Sequence, residues 1–253
     1  MKIRILWSIV LSALSFAGGS AFAGRPLTVD DAEPSDMGQW QIELGVGYRD
    51  DGESHHFDFP VGLAYGLAQD IEVGIGFGGQ IEERAETENE MIRETGLGDL
   101  TLGVKWKFAD EKRRGFAMSL APTIKLPTAD DEKGLGSGET DYDITWILTK
   151  PLSEELSVHG NVGYTGIGDP EGEDLGDIVH FGVAGDYTLF GGLQWVGEIF
   201  AQEDLKNSSA VCQYNTGLRW DGGKGLTFDI SAGSKLSGAA PDLTVNTGIT
   251  LAF

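Results

Sequence analysis

LTVNTGITLAF, residues 243–253, is the stretch whose reading decides the fold. Counted back in twos from Phe253 it gives Leu251, Ile249, Thr247, Val245 and Leu243, with Ala252, Thr250, Gly248, Asn246 and Thr244 between them. Successive side chains of a strand point to opposite faces, so this period predicts one apolar face and one small or polar face. A terminal strand of this form, closed by an aromatic residue, fits the last strand of a membrane barrel.

Working back toward the start, the same period predicts about twelve strands in an antiparallel up-and-down transmembrane β-barrel, an all-β fold. The first alternates Trp40, Ile42, Leu44, Val46 and Tyr48 with Gln41, Glu43, Gly45, Gly47 and Arg49. Others carry Leu100, Leu102, Val104, Trp106 and Phe108, or Tyr142, Ile144, Trp146 and Leu148. The ninth, through Leu193, Trp195 and Ile199, fits least well, because Val196 and Phe200 fall on its polar face. A soluble sandwich shows similar alternation. In this register, however, no Asp, Glu, Lys or Arg interrupts the apolar face within a strand, and Tyr and Trp gather at strand ends. A bilayer favours Tyr and Trp at its two interfaces. The predicted membrane girdle is Trp40, Tyr48, Tyr65, Trp106, Tyr142, Tyr164, Tyr187, Trp220 and Phe253.

At the front, Lys2 and Arg4 precede an apolar run over 5–17, and Ala21-Phe22-Ala23 offers a small-x-small cleavage pattern, so 1–23 reads as a signal peptide. A bilayer-spanning helix needs about 20 apolar residues, more than this run holds. The expected organisation is therefore a leader at 1–23, a segment at 24–36 that is periplasmic or enters the lumen as a lid, and a barrel at 37–253. Export to the bacterial outer membrane follows, where the C-terminal strand would engage the barrel-assembly machinery and the surface would meet lipid and lipopolysaccharide. Short connections at 66–70, 109–115, 150–155, 188–192 and 221–225 read as periplasmic turns. Longer ones at 78–96, 127–139 and 166–177 read as outward loops.

Charge narrows the function. The leader holds two bases and no acids, so the remainder carries 16 bases against 40 acids, a net of −24. Such a chain repels phosphate backbones, which excludes nucleic acid as a partner. Cys212 is the sole cysteine, so no intramolecular disulfide or thiolate metal centre can form. No cofactor or metal is expected. His55 and His56 beside Asp50, Asp51 and Glu53 read as a solvated loop edge, and the acidic run Asp169 to Asp177 lacks the central glycine of a calcium loop. The glutamates Glu82, Glu83, Glu86, Glu88, Glu90 and Glu94 read as a solvated face. Catalysis is not expected: a lipase-type barrel needs its nucleophile and His together on the outer face, whereas His159 and His180 point inward.

The inward positions carry the functional question. Predicted lumen-lining residues are Glu43, Arg49, Asp58, Glu72, Asp99, Lys105, Lys107, Lys125, Asp141, Asp143, His159, Asn161, Asp186, Glu198, Gln213, Arg219 and Asp229. Acids outnumber bases, which favours cations or neutral solutes if the pore conducts. A salt-bridge network that props or plugs the barrel is the other reading. Inward glycines, among them Gly45, Gly182 and Gly248, leave room for a narrow path or simply relieve crowding. About eight strands are filled by side chains and 16 to 18 leave a wide channel, so about twelve is intermediate.

The stretches RPLTVDDAEPSDMGQWQIELGVGY, GLGDLTLGVKWKF, PTIKLPTADDEKGLGSGETDY and HGNVGY resemble outer-membrane transporters of the MetA-pathway of phenol degradation family. The resemblance covers essentially all of the chain after the leader and rests on 25–33, 96–99, 125–128, 134–138 with Asp141, and 159–164. It implies passage of small solutes, aromatic or otherwise hydrophobic, and carries no catalytic residues. The alternative function is a non-conducting barrel acting through its acidic loops in adhesion or envelope stabilisation.

Overall fold

A strand in hydrocarbon cannot leave backbone donors and acceptors unpaired, so an alternating chain of this kind must close its sheet on itself. The computed structural model, which describes residues 24–52, 54–87, 90–170 and 172–253, does so. Its elements are β1 (Trp40–Asp50), β2 (Ser54–Ala68), β3 (Ile71–Thr87), β4 (Glu90–Leu97), β5 (Leu100–Ala109), a single-turn helix α1 (Glu111–Arg114), β6 (Ala117–Leu126), β7 (Asp141–Pro151), β8 (Leu156–Gly166), β9 (Ile178–Phe190), β10 (Leu193–Asp204), β11 (Ser209–Gly223), β12 (Leu226–Ser237) and β13 (Leu243–Ala252). Every pairing is antiparallel between chain neighbours, apart from β3 with β5 and the closing pair β1 with β13. In that closure Gly45 faces Gly248 and Leu44 faces Ile249, and the Trp40 and Phe253 backbones exchange hydrogen bonds of 2.8 and 2.9 Å. The result is a twelve-stranded barrel plus one extra strand.

Two turns show why the hairpins close tightly. Gly191 and Gly192 have φ of 57° and 79°, and Lys224 and Gly225 have φ of 56° and 75°. Two successive positive φ values match the twist of flanking strands. Both hairpins lie at the end of the barrel that carries Trp40 and Phe253. The connections there are short, whereas those after β6 and β8 at the other end are long.

Residues 78–96, expected as a loop, are largely strand. β3 continues to Thr87 and returns as β4, pairing Glu82 with Glu94 and Glu83 with Arg93. The hairpin extends past the last β3–β5 pair, Gly76 with Thr101, so it needs no lipid face and shows no apolar alternation to read. Glu86, Glu88 and Glu90 have side chains outside the described residues, as do the expected leader, Glu53 and Glu171.

The core is inside the barrel, and residues of the 24–36 segment help to form it. Leu27 and Val29 bury against Ala184, Val196 and Phe200; Ala32 buries against Ala117, Ala121 and Ile147. Val196 and Ala32 are both fully inaccessible, at 0% exposure. The apolar residues on the inward face of β10 are thereby accounted for: they cover the apolar side chains of the segment. Burying a Leu or Val side chain is worth about 1.5–3 kcal/mol, enough to hold a segment that pairs with no strand.

Candidate functional site

Gly24 to Ser35 runs round the inner wall and is bound by one strand after another. The Arg25 guanidinium lies over Gly45 and Gly248, where an added Cβ would come within 2.3 and 2.4 Å of it. From there it pairs with Asp229 of β12 at 3.2 Å and donates to the Thr247 carbonyl of β13 at 2.8 Å. Arg219 of β11 donates to the carbonyls of Arg25 and Gly24 at 2.8 and 2.9 Å. Asn215, on the same strand, donates to the Pro26 carbonyl at 3.1 Å and to Glu198 at 3.3 Å.

Farther along, the Glu198 carboxylate of β10 accepts the Thr28 and Val29 N–H groups at 2.8 and 2.7 Å. Val29 sits over Gly182, whose added Cβ would lie 2.4 Å from it. Asp30 pairs with Lys105 of β5 at 2.7 Å, and the Asn161 amide of β8 satisfies its backbone N–H and carbonyl at 2.8 and 3.0 Å when oriented to match them. Ala32 N–H donates to Thr149 Oγ1 at 2.8 Å, and Ser119 Oγ donates to the Ala32 carbonyl at 2.5 Å. Glu33 meets Lys107 at 2.6 Å, and Ser35 N–H reaches Glu72 at 2.7 Å.

The remaining inward groups bind within the wall. His159 bridges Thr149 at 2.9 Å and Asp186 at 2.8 Å. His180 pairs with Asp143 at 2.7 Å, and Asp143 also accepts from Thr145 and Thr165 at 2.7 and 2.8 Å. Arg49 pairs with Asp58 at 3.2 Å. Toward the long-loop end, Lys125 is held between Asp141 at 2.7 Å and Asp99 at 3.3 Å and donates to Ser137 of the β6–β7 loop at 2.8 Å. That loop folds inward, with the Leu135 carbonyl accepting from Gln80. Glu43 accepts from Gln41 at 2.9 Å. Gln213 lines a cavity of about 320 Å³ above the segment, floored by Leu27 to Asp30 and walled by Arg49, Asp58, Lys125, Asp143, His180 and Asn246.

Electrostatically, each inward base has a partner, so the lining is not a set of free charge rings. Glu72 and Glu198 are spent on backbone N–H groups of the segment. Of the other lining acids, Glu43, Asp143 and Asp186 also lack an ion pair with Lys or Arg among the described residues. Asp229 pairs with Arg25, Glu198 accepts from Thr28 and Val29, and His159 meets Asp186, so these inward groups answer to the segment and the wall rather than to one another. Sequence reading passed over Arg25, Asp30, Ser119, Thr149 and Asn215. Asn215 shares the inward face of β11 with Gln213, a signal that was available; the segment residues have no period to place them.

Outside, the predicted girdle residues lie on the face opposite this lumen. Trp40 meets Tyr65 at a centroid distance of 4.5 Å, and Trp220 stacks on Phe228 at 5.8 Å. Trp106, Phe108 and Trp146 form one chain at 5.7 and 5.6 Å. At the other end Tyr48 meets Phe57 at 5.0 Å and the Tyr164 hydroxyl donates to Asp177. Tyr142, Tyr187 and Phe253 are exposed. Between these rows Val162, Val183 and Ile230 are exposed at 60, 64 and 54%, which suits hydrocarbon and not water.

The model of the MetA-pathway of phenol degradation family matches residues 38–253, the whole barrel. The chain belongs to this family. No curated protein matches it at a significant level. Among solved structures, the COG4313 outer membrane channel from Pseudomonas putida F1 has a TM-score of 0.72 at 13% identity, covering 88% of this chain and 98% of that one. The NanC porin gives 0.57 at 10% identity, covering 83% and 98%. The translocator domain of the autotransporter NalP from Neisseria meningitidis gives 0.56 at 15%, covering 96% and 99%. At these identities the likeness is one of fold. This member of the MetA-pathway family is an outer-membrane β-barrel.

Proposed function

We propose that the barrel passes small solutes passively through its lumen, with residues 24–36 as a removable lid and the short-turn end facing the periplasm. The carrying observation is that, among the described residues, the segment filling the lumen is tied by side-chain and side-chain-to-backbone contacts and pairs with no strand until Gly38 meets Gly66. A sheet element could not leave without breaking a ladder; this segment can.

The cavity above it supports the substrate class. Leu27, Val29, Phe200 and Ala121 offer apolar surface beside His180, Gln213 and Asn246, a mixture that suits a small aromatic or otherwise hydrophobic solute carrying a hydroxyl or amide. Family membership supports the same reading. Excess carboxylate in the lining supports a modest preference for cations over anions among charged solutes.

Single-channel current from the refolded protein in a planar bilayer under a salt gradient tests this. Small discrete steps with a reversal potential on the cation side are expected. A verified barrel that gives no steps, with the segment present or removed, would sink the channel reading.

A further inference from the structure

Among the described side chains, the bases of the lumen and of the long-loop end meet an acid or a carbonyl: Lys133 pairs with Asp130, Lys206 with Asp174 and Lys235 with Asp242. Among the described side chains, the Lys and Arg groups with neither an ion pair nor a hydrogen bond are Lys112, Arg113, Arg114, Lys150 and Lys224, and all five belong to the short-turn end.

Four of them lie at neighbouring strand ends, three on the turn between β5 and β6 and one at the end of β7. Asp110 caps α1 by accepting the Lys112 N–H at 2.9 Å, and Gly115, with φ of 76°, ends it after one turn, so Lys112, Arg113 and Arg114 project from a fixed knuckle. Lys150 lies at the foot of β7, one strand away, where Ala117 pairs with Thr149. It shares the outward face with Trp146 and Leu148, so its stem lies along the lipid surface and its ammonium reaches the headgroup level. Trp106, Phe108 and Trp146 run up the lipid face directly beside these four.

Free cations above interfacial aromatics at the membrane edge make a phosphate site for a lipid. We propose that Lys112, Arg113, Arg114 and Lys150 bind the phosphate of an anionic phospholipid, its acyl chains lying along Trp106 and Phe108. The site faces the leaflet on the short-turn side, the phospholipid leaflet of an outer membrane. The inference rests on the orientation argued above but not on conduction.

The test is native mass spectrometry of the full barrel released from phosphatidylethanolamine vesicles with and without phosphatidylglycerol. Wild type should retain phosphatidylglycerol in preference to phosphatidylethanolamine. Each basic residue near a membrane surface contributes about fivefold to anionic-lipid affinity, so after screening by salt the Lys112→Gln/Arg113→Gln/Arg114→Gln variant should lose about tenfold of that preference. Heat-modifiable gel mobility reports whether the variant folds. If it does not, raising salt on wild type should erase the preference through the same screening. An unchanged preference in the folded variant, or none in wild type, overturns the proposal. So does a variant that keeps its lipid preference but loses binding to isolated peptidoglycan, which would make this a wall-facing surface.

Discussion

Deleting residues 25–35 is expected to raise single-channel conductance severalfold while leaving the barrel folded. The lower lumen is occupied by Leu27, Val29 and Ala32, exposed by 6, 4 and 0%, so removing them opens cross-section where little now exists. No ladder hydrogen bond is lost, because the strands pair only with each other. Glu198, Asp229 and Asn215 lose partners, but water fills the space left and solvates them, so their desolvation cost does not fall on the fold. A smaller opening should be reached without shortening the chain. In Gly248→Val a side chain occupies the place of the Arg25 guanidinium, whose Nε lies 2.4 Å from an added Cβ. Conductance unchanged in both variants would mean that the segment does not limit flow.

The second large effect is expected at Lys105. Its ammonium and the Asp30 carboxylate are 2.7 Å apart, each side chain 3% exposed. Removing one partner of a buried pair costs about 3–5 kcal/mol if the other stays buried, whereas replacing both can be neutral. Here Asp30 need not stay. It belongs to a segment without strand pairing, so the cost is limited by the free energy of undocking. Lys105→Met should therefore expose residues 25–35 to added protease and raise conductance, with the barrel's unfolding temperature almost unchanged. Asp30→Leu together with Lys105→Met should restore much of the protection. A lowered unfolding temperature with the segment still protected would show instead that the segment is part of the fold and not a lid.

These expectations show where sequence reading succeeds and where it stops. Tyr142, Ile144, Trp146 and Leu148 could be placed from their spacing because lipid imposes one chemical demand on every second residue. β3 beyond Gly78 and all of β4 escaped that reading since nothing apolar is required of a hairpin extended beyond the β3–β5 pairing. The lumen was legible by parity but not by partner. Arg25 and Asp229 are 204 residues apart, and no period links them. One trace of the hidden segment was present: Val196 and Phe200 break the alternation of β10, and the break marks the place where Leu27 and Val29 bury. Gly45, Gly182 and Gly248 mark it too. They read as empty space, but the space is occupied by Arg25 and Val29.

The seat of Arg25 also sets an order of events in time. It is built from Gly45 in the first strand and from Gly248 and the Thr247 carbonyl in the last, so it does not exist until the sheet has closed. Arg25 can therefore take its seat only after the first strand has met the last, so this one contact certifies that the ring is complete.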